Sequence, residues 1–264
     1  MFEQHFGLTT TPFRKDLPPS ALFPANLYQL CLQRLDYALA QRQIVCLLGE
    51  PGSGKSTLLR ALRAQQNPLR YRFLTLDHPP RQLRELYLEL CTSLHLDTPW
   101  STADLRTRVR RALHDLAHAG WIPVLLLDEA QDLSPQVLEE LRLLTTTDLD
   151  GSALFALLLS GHPDLARLLH RRGLEPLRQR IALWLQLLGL DRDETALYLH
   201  HHLALAGCTR PLFTPAAIAT LFEATKGLPR AINRLALACL QLAAAQGVAE
   251  IDAPLVEQAL AISP

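Results

Sequence analysis

Residues 49–56 read GEPGSGKS, with QIVCLL (43–48) before them and STLLRAL (56–62) overlapping their end. The first flank is an apolar run of strand length and the second has helical spacing, so the eight residues join a strand to a helix. Gly49, Gly52 and Gly54 let backbone N–H groups turn inward, a conformation that a Cβ resists. A helix starting at about Lys55 adds its positive end. The result is a phosphate cradle. Glu50, Pro51 and Ser53 complete the loop, and Thr57 lies just inside the new helix. Lys55 is expected to reach the β and γ phosphates, and Ser56 to ligate the Mg²⁺ that bridges them.

A second stretch, VLLLDE (124–129), sharpens the chemistry. Four apolar residues describe a central parallel strand, and its C-terminal end lies beside the phosphates in such folds. Asp128 is expected to hold the magnesium, directly or through water. Glu129 follows, where a carboxylate orients and polarises the water that attacks the γ phosphate. This pairing favours ATP hydrolysis over phosphotransfer to a metabolite. A carboxylate is also favoured in the first turn of a helix, so Glu129 can have both uses. No NKxD sequence appears, which disfavours a guanine nucleotide.

Composition narrows the class. The 264 residues suffice for an α/β core and a smaller second domain, and 48% hydrophobic content is ordinary for a globular chain. No apolar stretch reaches the ~18 residues of a membrane span, and MFEQHFGLTT lacks the regions of a secretory signal, so a cytoplasmic location is expected. Cys31, Cys46, Cys91, Cys208 and Cys239 show no CxxC pairing, which argues against a disulfide frame and a zinc site. Net charge is zero, so attraction to nucleic acid requires a local basic face. Arginine supplies nearly all the positive charge, at Arg60, Arg63, Arg70 and Arg72, at Arg81 and Arg84, and at Arg106, Arg108, Arg110 and Arg111. Such runs are more often solvated helix faces than grooves for a ligand.

Residues 1–27 hold four prolines and read as an extended lead-in, followed by a helix over 27–40. Strands are expected at 43–48, 71–76, 122–127, 153–159 and 181–187, with helices between them, the alternation of a parallel sheet. Residues 78–120 exceed one crossover and hold two helices, about 81–95 and 102–119. The α/β domain spans 28–188. Beyond it, helices at about 191–206, 215–225, 229–246 and 252–262 form a lid domain, 189–264. Asp191, Thr214 and Asp252 mark helix starts and Gly207, Gly227 and Gly247 mark stops. His200, His201 and His202 are consecutive, point in three directions on a helix and cannot chelate one metal.

With these motifs the chain resembles the AAA+ ATPases. FGLTTTPFR, LLDEAQDLSPQVLEELRLLT, LLLSGHPDLARLL, LRQRI and GLPRAINRL look like the ExeA and TniB-like group, related to the transposition regulators TnsC, MuB and IstB. The resemblance implies a five-stranded parallel sheet of order 5-1-4-3-2. It also implies that Ser160, or its neighbour His162, is the polar sensor that holds the attacking water. Arg180, with Arg178 as runner-up, matches the arginine finger that completes an adjacent subunit's site. Arg230 matches the lid arginine that reaches the γ phosphate of its own subunit. Arg171 and Arg172 read as a solvated helix end.

The implied function is ATP-dependent assembly, as a homo-oligomeric ring or filament, on duplex DNA without base readout, in support of a separate transposase. Arg81, Arg84, Arg106, Arg108 and Arg110 are the candidate phosphate contacts. The alternative is an ExeA-like ATPase that assists assembly of a secretion system. An origin- or clamp-loader-like factor is a third reading, for which 264 residues leave no room for the usual extra domain. No side chain is assigned to adenine, although Phe13 and Phe23 in the lead-in are plausible.

Overall fold

The computed structural model describes residues 2–76, 78–145 and 153–262. The chain opens with α1 (Phe2–Phe6) and α2 (Asn26–Ala40), then alternates: β1 (Ile44–Gly49), α3 (Lys55–Gln65), β2 (Tyr71–Thr75), α4 (Leu83–Ser93), α5 (Thr102–His118) and β3 (Ile122–Leu127). It continues through α6 (Pro135–Thr145), β4 (Ala156–Gly161), α7 (Asp164–Leu169), α8 (Glu175–Arg180) and β5 (Ile181–Leu187). All strands are parallel in the order β2-β3-β4-β1-β5, which is 5-1-4-3-2 from the other edge. Every residue of β3 and β4 is buried, as befits central strands covered on both faces. β5 buries only alternate residues and forms an edge.

The chain forms two compact units. One comprises Tyr28–Pro51 and Lys55–Leu187, and the other Met1–Leu27, Gly52–Gly54 and Leu188–Pro264. The α/β unit has its core where Leu125, Leu127, Leu157 and Leu159 meet Leu86, Leu105, Val109, Leu138 and Leu141. Burial of each such leucine contributes about 1.5–3 kcal/mol.

β4 runs to Gly161, beyond the expected 159. Ser160 and Gly161 look like turn residues, yet each stays in register with β1, as Leu47↔Ser160 and Leu48↔Gly161. The expected start of this strand, 153–155, is outside the regular ladder.

The second unit contains α9 (Arg192–Leu205), α10 (Pro215–Thr225), α11 (Pro229–Gln246) and α12 (Ala253–Ile262). Asp191 and Glu194 form a reciprocal capping box at the start of α9, and Thr214 Oγ1 accepts from Ala217 N at the start of α10. Gly227 has φ +70°, and a Cβ there would collide with the Leu190 carbonyl, so this stop requires glycine. The lead-in is not simply extended. Its first residues form α1, Pro19–Ala21 make one tight turn, and Phe6, Leu8 and Phe13 are buried against α9–α12 residues. Apolar anchoring overrode the proline-rich pattern.

All five cysteines are buried and unpaired. Among the described residues no helix is long and apolar enough to cross a membrane, and no cluster of three or more ligands suits a metal ion.

Candidate nucleotide site

Parallel register brings the chemistry together. Leu127 of β3 lies opposite Leu159 of β4, so Asp128, one residue on, meets Ser160. β4 in turn pairs with β1, whose last residue is Gly49. The Asp128 carboxylate accepts from Ser160 Oγ at 2.8 Å and from Ser56 Oγ at 2.9 Å, one hydroxyl on each oxygen. Glu129 N also points at Asp128 Oδ1, at 3.1 Å. Ser160 is fully buried.

Lys55, the first residue of α3, is only 6% exposed. Its Nζ donates to the loop's own carbonyls, Gly49 O at 2.8 Å and Glu50 O at 3.3 Å. Among the described residues it has no carboxylate partner. A buried ammonium held only by neutral carbonyls is a strong attractor for an anion. Ser53 Oγ, in the same loop, is buried with no hydrogen-bond partner, so it is a further polar group suited to an incoming ligand. Gly52 and Gly54 have φ +86° and +100°, the backbone that turns amides inward.

These residues fit a triphosphate with magnesium. Ser56 Oγ and Asp128 Oδ2 are hard oxygen donors 2.9 Å apart, and adjacent oxygens on an octahedral Mg²⁺ are also about 2.9 Å apart. Ser56 and Asp128 would hold the ion, which when bound would supply positive charge to offset that of the phosphates. Thr57 contributes its carbonyl to the Tyr28 hydroxyl at 3.4 Å, tying α3 to α2. Burial pushes that tyrosine's pKa up to about 12, so it stays a neutral donor.

Glu129 is exposed and adopts a left-handed backbone, φ 52° and ψ 39°, at the start of a tight turn over Ala130–Asp132. A non-glycine residue in that region costs on the order of 1 kcal/mol, a strain often found at functional sites. Its Oε2 accepts from Gln131 Nε2 at 2.9 Å. Glu129 therefore caps a single turn rather than the first turn of a longer helix. Beside it, His162 Nε2 lies 3.1 Å from Glu50 Oε2 and Nδ1 lies 3.2 Å from Asp164 Oδ2. His162 is thus held between the phosphate loop and α7, while Ser160 makes the contact to Asp128. Gln131 and the Glu50–His162 pair were not singled out by motif, although Gln131 stands only two residues from Glu129.

The predicted arginines fall in different places. Arg230 is exposed in the first turn of α11, and its N donates to Gly52 O at 3.2 Å. A Cβ at Gly52 would lie 2.7 Å from Arg230 Cβ, so glycine is required for this approach. Arg180 ends α8 immediately before β5, and Ile181 pairs with Ile44 at the start of β1. Five residues of β1 separate that level from Gly49, roughly 17 Å of strand. Arg180 therefore stands at the opposite end of the sheet from the loop of its own chain. Its Nη1 donates to Arg142 O at 3.5 Å. It also borders a cleft of about 790 Å³ with Arg42 and Arg70, far from the Asp128 hydroxyl cluster. Arg178 turns inward, its Nε buried without a hydrogen-bond partner. Arg171 and Arg172 are exposed after α7.

Arg81, Arg108 and Arg110 are exposed, and Arg84 lies over the ring of Trp100, which is itself 92% exposed. Arg106 departs from the set. Its guanidinium lies 2.9 Å from the nearly buried Glu140, so it neutralises an internal carboxylate and is committed to packing. Phe13 and Phe23 are also committed. Phe13 stacks on His202 and Phe23 meets Tyr198 edge-on, both within the helical unit.

Comparison with known proteins agrees with this geometry. The family model described as AAA domain matches residues 38–169, half of the chain. General secretion pathway protein A of Aeromonas hydrophila is 36% identical over 250 residues, covering 94% of this chain and 46% of that protein. The chain thus spans about half the length of the curated relative it matches. Cdc6p from Pyrobaculum aerophilum superposes with a TM-score of 0.67 at 18% identity, covering 90% of this chain and 67% of that one. ORC1 of Aeropyrum pernix, solved in complex with DNA, gives 0.65 at 15% identity, covering 93% and 68%. At such identities the likeness is one of fold. Phosphate loop, sheet order and family match converge: the chain belongs to the AAA domain family and has the fold of an AAA+ P-loop NTPase.

Proposed function

We propose that this protein hydrolyses ATP to ADP and phosphate, and that the nucleotide state controls its self-assembly on duplex DNA in support of a transposase. The observation that carries the ATPase reading is the buried Lys55 ammonium of the phosphate loop, followed by Ser56, which an aspartate joins to Ser160, with Glu129 next after that aspartate. Lys55 would bind the β and γ phosphates, and Arg230 would approach the γ phosphate of the same chain. Glu129 would take a proton from the attacking water as its oxygen bonds to the γ phosphorus and the bond to the bridging oxygen breaks. Arg180 would supply charge to a neighbouring copy's site, since it stands at the far end of its own sheet.

Exposed Arg81, Arg108 and Arg110, with the half-buried Arg84, support a DNA-facing surface on the α4–α5 insertion. With contacts made by arginines to phosphates alone, such binding would be insensitive to sequence and weakened by salt. The likeness to a secretion-pathway protein favours a second reading, an ATPase that assists assembly of a secretion system. ATPase rate measured with and without nonspecific duplex DNA, at low and high salt, separates the two. Stimulation of several-fold at low salt that fades at high salt supports the first. A rate indifferent to DNA at both salts leaves the second.

A further inference from the structure

We propose that Gln131 is a positioning residue that holds Glu129 in register with the end of β4; this rests on the ATPase reading above. Its carboxamide spans two elements. Nε2 donates to Glu129 Oε2 at 2.9 Å, and Oε1 accepts from His162 N at 3.0 Å. The two partners dictate the orientation, because a backbone N–H can only donate and an ionised carboxylate can only accept. A carboxamide meets both demands at once. Glutamate would lack the donor, and asparagine is one methylene short.

The surroundings are built to admit this bridge. A Cβ on Gly161 would lie 2.6 Å from Gln131 Oε1, so glycine at the end of β4 is what lets the carboxamide lie there. Glu129 itself is in the left-handed conformation, a backbone that needs support from its neighbours. Its Oε2 is engaged by Gln131, which leaves Oε1 to take the proton of the attacking water. Beyond His162 N, the imidazole of the same residue meets Glu50 in the phosphate loop at 3.1 Å. The general base, the end of β4 and the loop are therefore linked through one amide. Without it, Glu129 swings freely on an exposed turn while the phosphate cradle stays intact.

The test is a steady-state comparison in the full chain of Gln131→Ala, Gln131→Glu and Gly161→Ala. It is run with equilibrium binding of a fluorescent ATP analogue and with Glu129→Gln in parallel. All three variants are expected to lose about 10- to 100-fold in kcat, the scale for a misplaced catalytic group, with KM and analogue affinity within about twofold of wild type. Analogue binding at wild-type affinity also certifies that each variant folds. Gln131→Ala at wild-type kcat, or a parallel loss of kcat and affinity, overturns the inference. If Glu129→Gln itself turns over normally, the ATPase assignment of Glu129 falls. If Glu129→Gln is inactive and Gln131→Ala is not, only the role of Gln131 falls.

Discussion

Asp128 illustrates how much one side chain depends on its neighbours. Its place after four apolar residues marks it as a strand-end carboxylate, but the hydroxyls it receives come from Ser56, 72 positions earlier, and Ser160, 32 later. Ser160 is the sensor that the resemblance implies, with His162 as its alternative, and strand register sets Ser160, not His162, level with Asp128. Among the three consecutive histidines the environments diverge in the same way. His201 bonds the Ala21 carbonyl, while His202 is packed between Phe13 and Tyr198. Burial, with the charge of His201 as a lesser cause, lowers the His202 pKa from its ordinary 6.5 to about 4. The folded state therefore holds it neutral, and the unfolded chain binds the proton more readily. Its contribution is constant above pH 6.5 and is lost as pH falls from 6.5 through about 4, by a total on the order of 3 kcal/mol. Urea unfolding of the helical unit at pH 7 and pH 4.5 should show a smaller fall for His202→Phe than for wild type. Equal falls in both proteins would assign the acid sensitivity elsewhere.

At the level of elements, the periodic patterns located the five strands and the helices α2, α4, α5 and α9–α12 to within a few residues, because amphipathic spacing and caps are local properties. The exceptions have long-range causes. Phe6 and Phe13 draw the lead-in onto the helical unit, and pairing with β1 extends β4 through two small residues. The inserted helices α4 and α5 have an internal anchor that their arginine-rich sequence conceals. Glu140 on α6 receives the Tyr87 hydroxyl from α4 and the Arg106 guanidinium from α5. Burial raises the Tyr87 pKa, with Glu140 adding to the shift, so the phenol stays protonated as the donor. Glu140→Ala strands a buried hydroxyl and leaves Arg106 unpaired. It should destabilise the α/β unit by about 1–3 kcal/mol, read from the midpoint of chemical denaturation. The half-exposed arginine keeps that cost moderate. A change below about 0.5 kcal/mol would mean that Tyr87 and Arg106 readily find water instead.

For the molecule as a whole, the proposed role of Arg180 in a neighbour's site, together with its separation from its own phosphate loop, would make hydrolysis a property of assembly. Arg180→Ala and Glu129→Gln should each be nearly inactive alone. Mixed in equal amounts, they should recover about a quarter of wild-type turnover, from random pairing at a head-to-tail interface. No recovery on mixing, or full Arg180→Ala activity at high dilution, would remove the shared site. The sequence by itself determined the P-loop NTPase class and the alternation of strands and helices. GEPGSGKS, VLLLDE and the alternating periods are written within windows of about ten residues, where backbone propensity and side-chain type act directly. Only the tertiary structure decided which strand ends meet. It set Ser160 rather than His162 on Asp128, turned Gln131 across Gly161 and committed Arg106 to Glu140. Those outcomes depend on register and burial between segments tens of residues apart, where equally apolar strands carry no local mark of their partners.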